Sequence, residues 1–549
     1  MAPDLAGFIA DGSDSETSED IVAAVLTALG AEFEVTLEHG VPGARTAPVP
    51  SRKATWLDTF DWRLHKAGLT LEYVPGRGGS ELRLSGPGGQ EAAQLVIGWQ
   101  PSRPHLSTDL AGGPVGVRLA GVIAMRALVP VAATTTATTV YRLLNADEKT
   151  VAKLVIDRPA VTGTQSCPLP PRLAVTEVRG YAGQARRAAR VLAAVPGVTP
   201  ADRPLFADAV RAAGRRPGDY SNKVDAKITA DMPAAGAVAA ILLRLLDTID
   251  AVAAGVLADI DTEFLHDLRV SVRRTRSALK LFGDALSLTP EEVEYFATEF
   301  KWVGDLTTPV RDLDVHLLDF EDTARGLAAA KPDDLEPFRA YLQQRRRREL
   351  RVLTRELRAP RYTALIKEWR AKLSRIQQDF APVTVSRIRS GARQKITAGT
   401  AVLLAVERTQ VAFTKVAKRG AAITPDSPAE SLHDLRKRCK ELRYALEFFA
   451  PLHEPAAYSK VVGDLKRLQD CLGEFQDTEV QIGEIRANAT AMLAAHEAPA
   501  VTLLAMGEIT AGLAARQRGA RVDFERKFAA FADAQGQRRM AALLRGGTA

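Results

Sequence analysis

Two patterns of apolar and polar positions divide this chain. Up to about residue 215, short segments alternate with period two, at 32–37, 69–74, 81–84, 138–144 and 149–156. Gly/Pro clusters at 75–79 and 86–89 punctuate them, which predicts antiparallel strands joined by turns. From 216 to 231 the chain is polar and reads as a linker. Beyond it the apolar period becomes 3.6 and strand signals vanish. The expectation is an α+β protein with an acidic N-terminal segment over 1–29, a β domain over 30–215, the linker 216–231, and an all-α region over 232–545.

Within the α-helical region one segment occurs twice. The first copy runs His266-Asp-Leu-Arg-Val-Ser-Val-Arg-Arg-Thr-Arg-Ser-Ala-Leu-Lys-Leu-Phe282, and the second His433-Asp-Leu-Arg-Lys-Arg-Cys-Lys-Glu-Leu-Arg-Tyr-Ala-Leu-Glu-Phe-Phe449. At 100° per residue, His266, Arg269, Arg273, Arg276 and Lys280 share an arc of roughly 80°. His433, Arg436, Lys440 and Arg443 share the equivalent arc. The opposite faces are apolar, with Leu268, Val272, Leu279 and Phe282 in one copy and Leu435, Cys439, Leu442, Leu446 and Phe449 in the other. Each helix therefore offers a core wall and a cationic stripe on the order of 20 Å long. A solvated face ordinarily mixes signs to make i,i+4 pairs. The first stripe holds no acid and the second only Glu447, which points to an extended polyanion as ligand.

A second shared stretch aligns Lys301 through Asp312-Leu-Asp-Val315 with Lys466 through Asp477-Thr-Glu-Val480, so two halves are expected, about 232–395 and 396–545. Duplication implies pseudo-twofold symmetry, with the two stripes facing a common groove. Ser427-Pro-Ala-Glu430 reads as a capping box with proline at the first helical position of the second motif helix.

Charge distribution agrees with this placement. The chain carries a net +7, but residues 1–160 hold 14 Lys+Arg against 18 Asp+Glu and the remainder 59 against 48. Any polyanion belongs to the C-terminal part. Three widely spaced cysteines (Cys167, Cys439, Cys471) show neither disulfide nor metal spacing. No His pair stands at i,i+4, so no metal site and no cofactor are expected. No apolar run is long enough to span a bilayer and no signal peptide is visible, so a cytoplasmic protein without a membrane partner is expected. The runs Arg345–Arg358 and Lys415–Arg419 read equally as extensions of the groove or as wet helix faces.

The duplicated His-Asp-Leu-Arg helix resembles the hallmark of the CHAD (conserved-histidine α-helical) domain, and the match covers roughly 232–545. The resemblance implies two helical bundles about a pseudo-dyad whose basic groove binds inorganic polyphosphate, at polyphosphate granules. The binding set it implies is His266, Arg269, Arg273, Arg274, Arg276 and Lys280 with His433, Arg436, Lys437, Lys440 and Arg443, and Lys301 and Lys466 from the second motif. Ser271, Gln476 and Glu447 depart from the basic pattern.

Trp56-Leu-Asp-Thr-Phe-Asp61-Trp-Arg-Leu64 followed by Gly68-Leu-Thr-Leu71 resembles the CYTH domain, an antiparallel β-barrel triphosphate tunnel. Its site needs alternating carboxylates and several cations facing the lumen. Here Glu32 and Glu34 remain, but Thr36, Thr70, Glu72 and Thr134–Thr139 stand where the resemblance calls for cations. A degenerate, non-catalytic barrel is expected. Two other readings stay open: a nucleic-acid-associated basic protein, disfavoured because the stripes lack interleaved aromatics, and a CYTH-type triphosphatase.

Overall fold

The structure, a computed structural model, describes residues 7–12, 14–38, 51–76, 79–86, 91–98, 100–110, 113–163, 166–379 and 399–546. Contacts divide it into two units, Met1–Ser221 and Asn222–Ala549.

The first unit is built on one antiparallel sheet. Its strands are β1 (Phe8–Ala10), β2 (Glu34–Leu37), β3 (Ser51–Thr59), β4 (Thr70–Val74), β5 (Ser80–Ser85), β6 (Glu91–Ile97), β7 (Leu128–Leu144), β8 (Thr150–Val161), β9 (Cys167–Pro168), β10 (Arg172–Glu177) and β11 (Val198–Pro200). The helices are α1 (Ser15–Gly30), α2 (Arg63–Lys66), α3 (Pro114–Ile123), α4 (Ala182–Ala193) and α5 (Leu205–Ala212). Strand order is β11-β1-β10-β8-β7-β3-β4-β5-β6, with β2 beside β7 and β9 beside β8. The range read as an acidic segment thus supplies a strand and a helix. β1 pairs with β10 and β11, and Val22, Val25 and Leu29 of α1 join the core.

The expected barrel does not close. Closure requires the outer strands to exchange main-chain hydrogen bonds. β11 spans three residues and pairs with β1, and β6 pairs with β5, so the sheet keeps two edges among the described residues. One face is apolar. Leu143, Leu154, Ile156, Leu173 and Val175 pack under α1 and α4, and Leu71, Leu82 and Leu84 under α3. Side chains alternate along a strand, so the opposite face carries the row Thr36–Arg142–Lys153–Thr176 and the row Glu72–Arg83. Most of its cations are already occupied. Arg52 pairs with Glu72 at 2.6 Å, Arg83 with Glu81 at 2.8 Å, and Lys153 with Glu38. Glu32 precedes β2 and pairs with Arg187 of α4, so only Glu34 of the Glu-x-Glu lies in the strand.

The second unit is α-helical: α6 (Ala234–Leu257), α7 (Thr262–Phe282), α8 (Pro290–Leu318), α9 (Phe320–Arg325), α10 (Glu336–Leu357), α11 (Pro360–Asp379), α12 (Ala401–Ala421), α13 (Ala429–Phe448), α14 (Pro455–Ala494), α15 (Ala500–Ala532) and α16 (Ala534–Gly546). The repeat relates α7 to α13 and α8 to α14. Asp261 caps α7 by accepting from the N–H groups of Glu263 and Phe264, and a capping box of Thr289 and Glu292 opens α8. The box predicted at Ser427 does not form. Pro428 occupies the cap position, and Ser427 Oγ accepts instead from the Thr424 N–H at 2.9 Å. Standing one residue before the cap, Ser427 turns back toward the preceding loop and leaves the first turn uncapped by a side chain. Gly255 near the end of α6 and Gly420 near the end of α12 let aromatic rings lie on the helix backbone. A Cβ would meet Phe264 at 2.1 Å in one and Phe528 at 1.9 Å in the other.

The two motif helices cross. All their predicted apolar positions are buried. Phe282 stacks edge-on against Phe448 and Phe449, with centroids 6.1 and 5.3 Å apart. Flanking the rings, Arg274 reaches Glu447 at 3.2 Å and Lys280 reaches Glu441 at 2.6 Å. The halves are further tied by α14. Its early residues (Val461, Leu465, Leu468) join the core of α12 and α13, and its later ones (Ile485, Met492) the core of α8 to α10.

Arg274 and Glu447 are both largely buried. Arg274→Glu should therefore destabilise the C-terminal unit by about 2–4 kcal/mol, because it sets two carboxylates against each other. Arg274→Glu combined with Glu447→Arg should recover part of that loss, the rest remaining because the introduced arginine faces Arg443. Urea titration of both variants checks it, and a pair that adds without recovery would show the contact carries no coupling.

Candidate functional site

α7 to α10 and α13 to α15 line an open cavity of about 1070 Å³. Where the two repeats meet, its basic lining comes from both: His266, Arg269 and Arg273 of α7, Arg311 of α8, and His433, Arg436 and Lys440 of α13, with His316 and Arg516 farther along. The helical period aimed these side chains to one side, and the crossing of α7 and α13 makes that side common to both halves.

Each repeat uses the same anchors. Arg269 donates to the Gly304 carbonyl at 3.2 Å and to Thr308, and lies 4.0 Å from Asp312. Arg436 pairs with Asp477, the equivalent of Asp312, at 2.9 Å. Arg273 Nε donates to the Tyr444 hydroxyl oxygen at 2.7 Å, a neutral partner that leaves its charge uncompensated. At the next equivalent pair the repeats differ. Arg311 keeps a buried Nη1 with no partner, whereas Gln476 accepts from His433 Nδ1 through its Oε1.

Crowded positive charge perturbs the cluster. Burial, with Arg436 and Arg273 alongside, pushes the Lys440 ammonium down to about 8. Burial and the Arg311 guanidinium lower His266. Arg269 is lowered too, by burial first and then by Arg273 and Arg311 against the opposing pull of Asp312. Three carboxylates lining other parts of the cavity are satisfied within the protein. Glu484 pairs with His316 at 2.5 Å and Glu474 with Arg516 at 2.8 Å, while Glu508 accepts N–H groups of Ala329 and Ala330 at 3.1 and 2.9 Å.

Of the other residues in the implied binding set, none lines the cavity. Arg274 and Lys280 sit in the crossing pairs, and Arg443 pairs with Glu447 at 2.5 Å. Arg276 lies across Gly304, where a Cβ would approach its Nη1 at 3.1 Å. Lys301 pairs with Asp305 at 2.9 Å and Lys437 with Asp434 at 3.5 Å, both exposed, and Lys466 is exposed. Ser271 is buried, so its departure from a basic residue does not touch the site. Sequence reading missed Arg311, His316 and Arg516. Arg311 had a signal, since it stands in the repeated stretch opposite Gln476; Arg516 had none.

Residues 240–486 match the family model described as the CHAD domain. The C-terminal unit contains a CHAD domain. Among solved structures, the chain is similar to the CHAD domain from the plant Ricinus communis, with 26% identity over 56% of this chain and 96% of that one and a TM-score of 0.45. It is also similar to PptA from Streptomyces chartreusis, with 16% identity over 54% and 99% of the two chains and a TM-score of 0.40. No curated protein matches the chain. Among the described residues no cluster of His, Cys, Asp and Glu could hold a metal ion, and no helix is long and apolar enough to cross a membrane.

The cavity therefore presents hydrogen-bond donors and positive charge. An anion bound there would favour the charged forms of Lys440 and His266 and raise both pKa values. Below pH 8 the ammonium is charged with or without ligand. Above it, binding requires proton uptake, so affinity should fall by up to about tenfold per pH unit until the bound-state pKa is passed. In the ligand-free protein the sign reverses for stability. The unfolded chain holds the Lys440 proton more tightly, so the penalty is complete below pH 8 and fades as pH rises toward the ordinary lysine value. Lys440→Met should accordingly stabilise the free protein at pH 7 by on the order of 1–2 kcal/mol after solvent screening, while weakening anion binding. Thermal melts and titration calorimetry in two buffers of different ionisation enthalpy measure both; unchanged stability together with unchanged affinity would refute the assignment.

Proposed function

We propose that the CHAD domain binds inorganic polyphosphate in this cavity and that the protein is a non-catalytic binder acting at polyphosphate deposits. The observation that carries the proposal is the excess of positive charge where the two repeats meet. Seven Arg, Lys and His side chains line that part of the cavity, and among the described residues only Asp312 and Asp477 form ion pairs with them. Taking cations out of water without a counterion is costly. A ligand that repays the cost must be multiply charged and slender.

Polyphosphate suits this better than nucleic acid. The cationic residues come without an exposed aromatic to stack a base, Tyr444 being buried, whereas single-stranded nucleic acids depend on such stacking. Its repeating charged oxygens fit bidentate guanidinium donors. The CHAD resemblance supports the same ligand.

The full-length protein should bind long-chain polyphosphate without added metal, with affinity falling steeply as salt rises through counterion release. Arg273→Glu with Lys440→Glu should lower affinity at least about a hundredfold while circular dichroism stays native, each lost charge-assisted contact being worth about 1.5–3 kcal/mol. Titration against single-stranded DNA in the same buffer is the control. Equal affinity for DNA, or an unaffected charge-reversed variant, would overturn the reading.

The N-terminal sheet is read as non-catalytic because Arg52, Arg83 and Lys153 on its polar face are neutralised by neighbouring carboxylates. Tripolyphosphate should show no turnover with Mg²⁺ or Mn²⁺. Turnover that disappears in Glu34→Gln would restore the enzyme reading.

A further inference from the structure

α10 carries a second cationic surface that the cavity does not use. Two of its arginines are structural: Arg345 donates to Asn488 at 2.7 Å, and Arg346 bridges the buried Asp314 at 2.5 Å and Asp259 at 2.7 Å. The next five are exposed: Arg347, Arg348, Arg351, Arg355 and Arg358. Leu342 of the same helix lines the cavity. Measured from Leu342 at 100° per residue, the five fall in an arc of roughly 100° centred on the opposite side of the helix. They form a ridge about 16 Å long, running away from the cavity on its outer wall.

No acid shares this arc. Glu349 and Glu356 lie toward the Leu342 side, and Glu356 reaches round only to Arg355 at 2.9 Å. Arg351 donates to the Arg347 carbonyl at 3.2 Å, which leaves its charge uncompensated. Arg347/Arg351, Arg348/Arg351, Arg351/Arg355 and Arg355/Arg358 are like-charge neighbours at i,i+3 or i,i+4, an arrangement that destabilises a free helix. All five are arginine, whose planar fork grips phosphate oxygens in pairs. Solubility alone is met more cheaply by alternating signs.

We infer that this ridge is a second polyphosphate-binding surface, separate from the cavity, which makes the domain bivalent for long chains. The inference rests on the cavity reading for its ligand class. A long polyphosphate held in the cavity of one molecule would meet the ridge of another at high effective concentration. One protein could then cross-link chains, whereas a short chain would occupy the cavity alone.

The test uses the full-length protein, with short-chain and long-chain polyphosphate as probes and Arg351→Gln/Arg355→Gln as the ridge variant; glutamine keeps helix propensity. Wild type should bind the short chain at one site, and with the long chain should form assemblies seen by light scattering. The ridge variant should keep short-chain affinity within about twofold, lose the scattering, and flatten the plot of log K against log salt for the long chain by about 1.4. Undiminished scattering and slope in the ridge variant would overturn the inference and leave the cavity reading standing. Loss of short-chain binding in the ridge variant, with none in Arg273→Glu/Lys440→Glu, would overturn the cavity reading and the separateness of the two sites together. Scattering absent from wild type while the short chain still binds would also refute bivalency.

Discussion

The CHAD domain depends on bringing two cationic helices against each other without repulsion. In the repeat, Arg274 corresponds to Glu441 and Lys280 to Glu447. Across the crossing, Arg274 meets Glu447 and Lys280 meets Glu441. A true dimer of the first half would set Arg274 against the Lys280 of its twin, and a dimer of the second half would set glutamate against glutamate. Only the mixed pair is complementary. Divergence at these two positions therefore selects pairing of unlike halves, and it fixes the crossing that Phe282, Phe448 and Phe449 fill. With charge cancelled at this end of the motif helices, charge at the other end can accumulate around the cavity.

That accumulation sets stability against binding. Lys440 and His266 are held in environments that disfavour their charged forms, and Arg311 keeps an unmatched buried donor. A domain optimised only to fold would place acids there. It does place acids nearby, but Glu474, Glu484 and Glu508 are turned to Arg516, His316 and backbone N–H groups. The cationic excess is preorganised in this way, and within the cluster only Arg269 and Arg436 stand beside carboxylates, Asp312 and Asp477.

Much of this was legible in the sequence, for a definable reason. A helical period assigns each residue an angle about the axis, so the core face and the cationic face of both motif helices follow from residue spacing alone. The period says nothing about what lies opposite each position along the axis. Arg273 and Lys280 share an angle, yet one reaches the cavity and the other Glu441. Arg311 shares no helix with His266 or His433 and enters through tertiary packing, although its place opposite Gln476 in the repeat was available as a clue. The sheet shows the same limit. Alternation revealed β2, β4, β5 and parts of β7 and β8, but closure depends on which distant edges meet. α1 was obscured by composition, because its acids dominate a segment whose Val22, Val25 and Leu29 carry a helical spacing.

The two halves of the cavity are not equivalent, and the difference lies at one aligned pair. In the first, burial and then the Arg311 guanidinium lower the proton affinity of His266. In the second, the Gln476 amide oxygen accepts from His433 Nδ1. An anion entering the first half meets unmatched donors whose charge grows on binding. In the second half one N–H of the His433 ring is engaged by a neutral amide, and Arg436 is partly neutralised by Asp477 at 2.9 Å against 4.0 Å for Arg269 and Asp312. Duplication supplied a symmetric frame. The Arg-to-Gln difference makes it directional, with the larger excess of guanidinium charge on the side of α7 and α8.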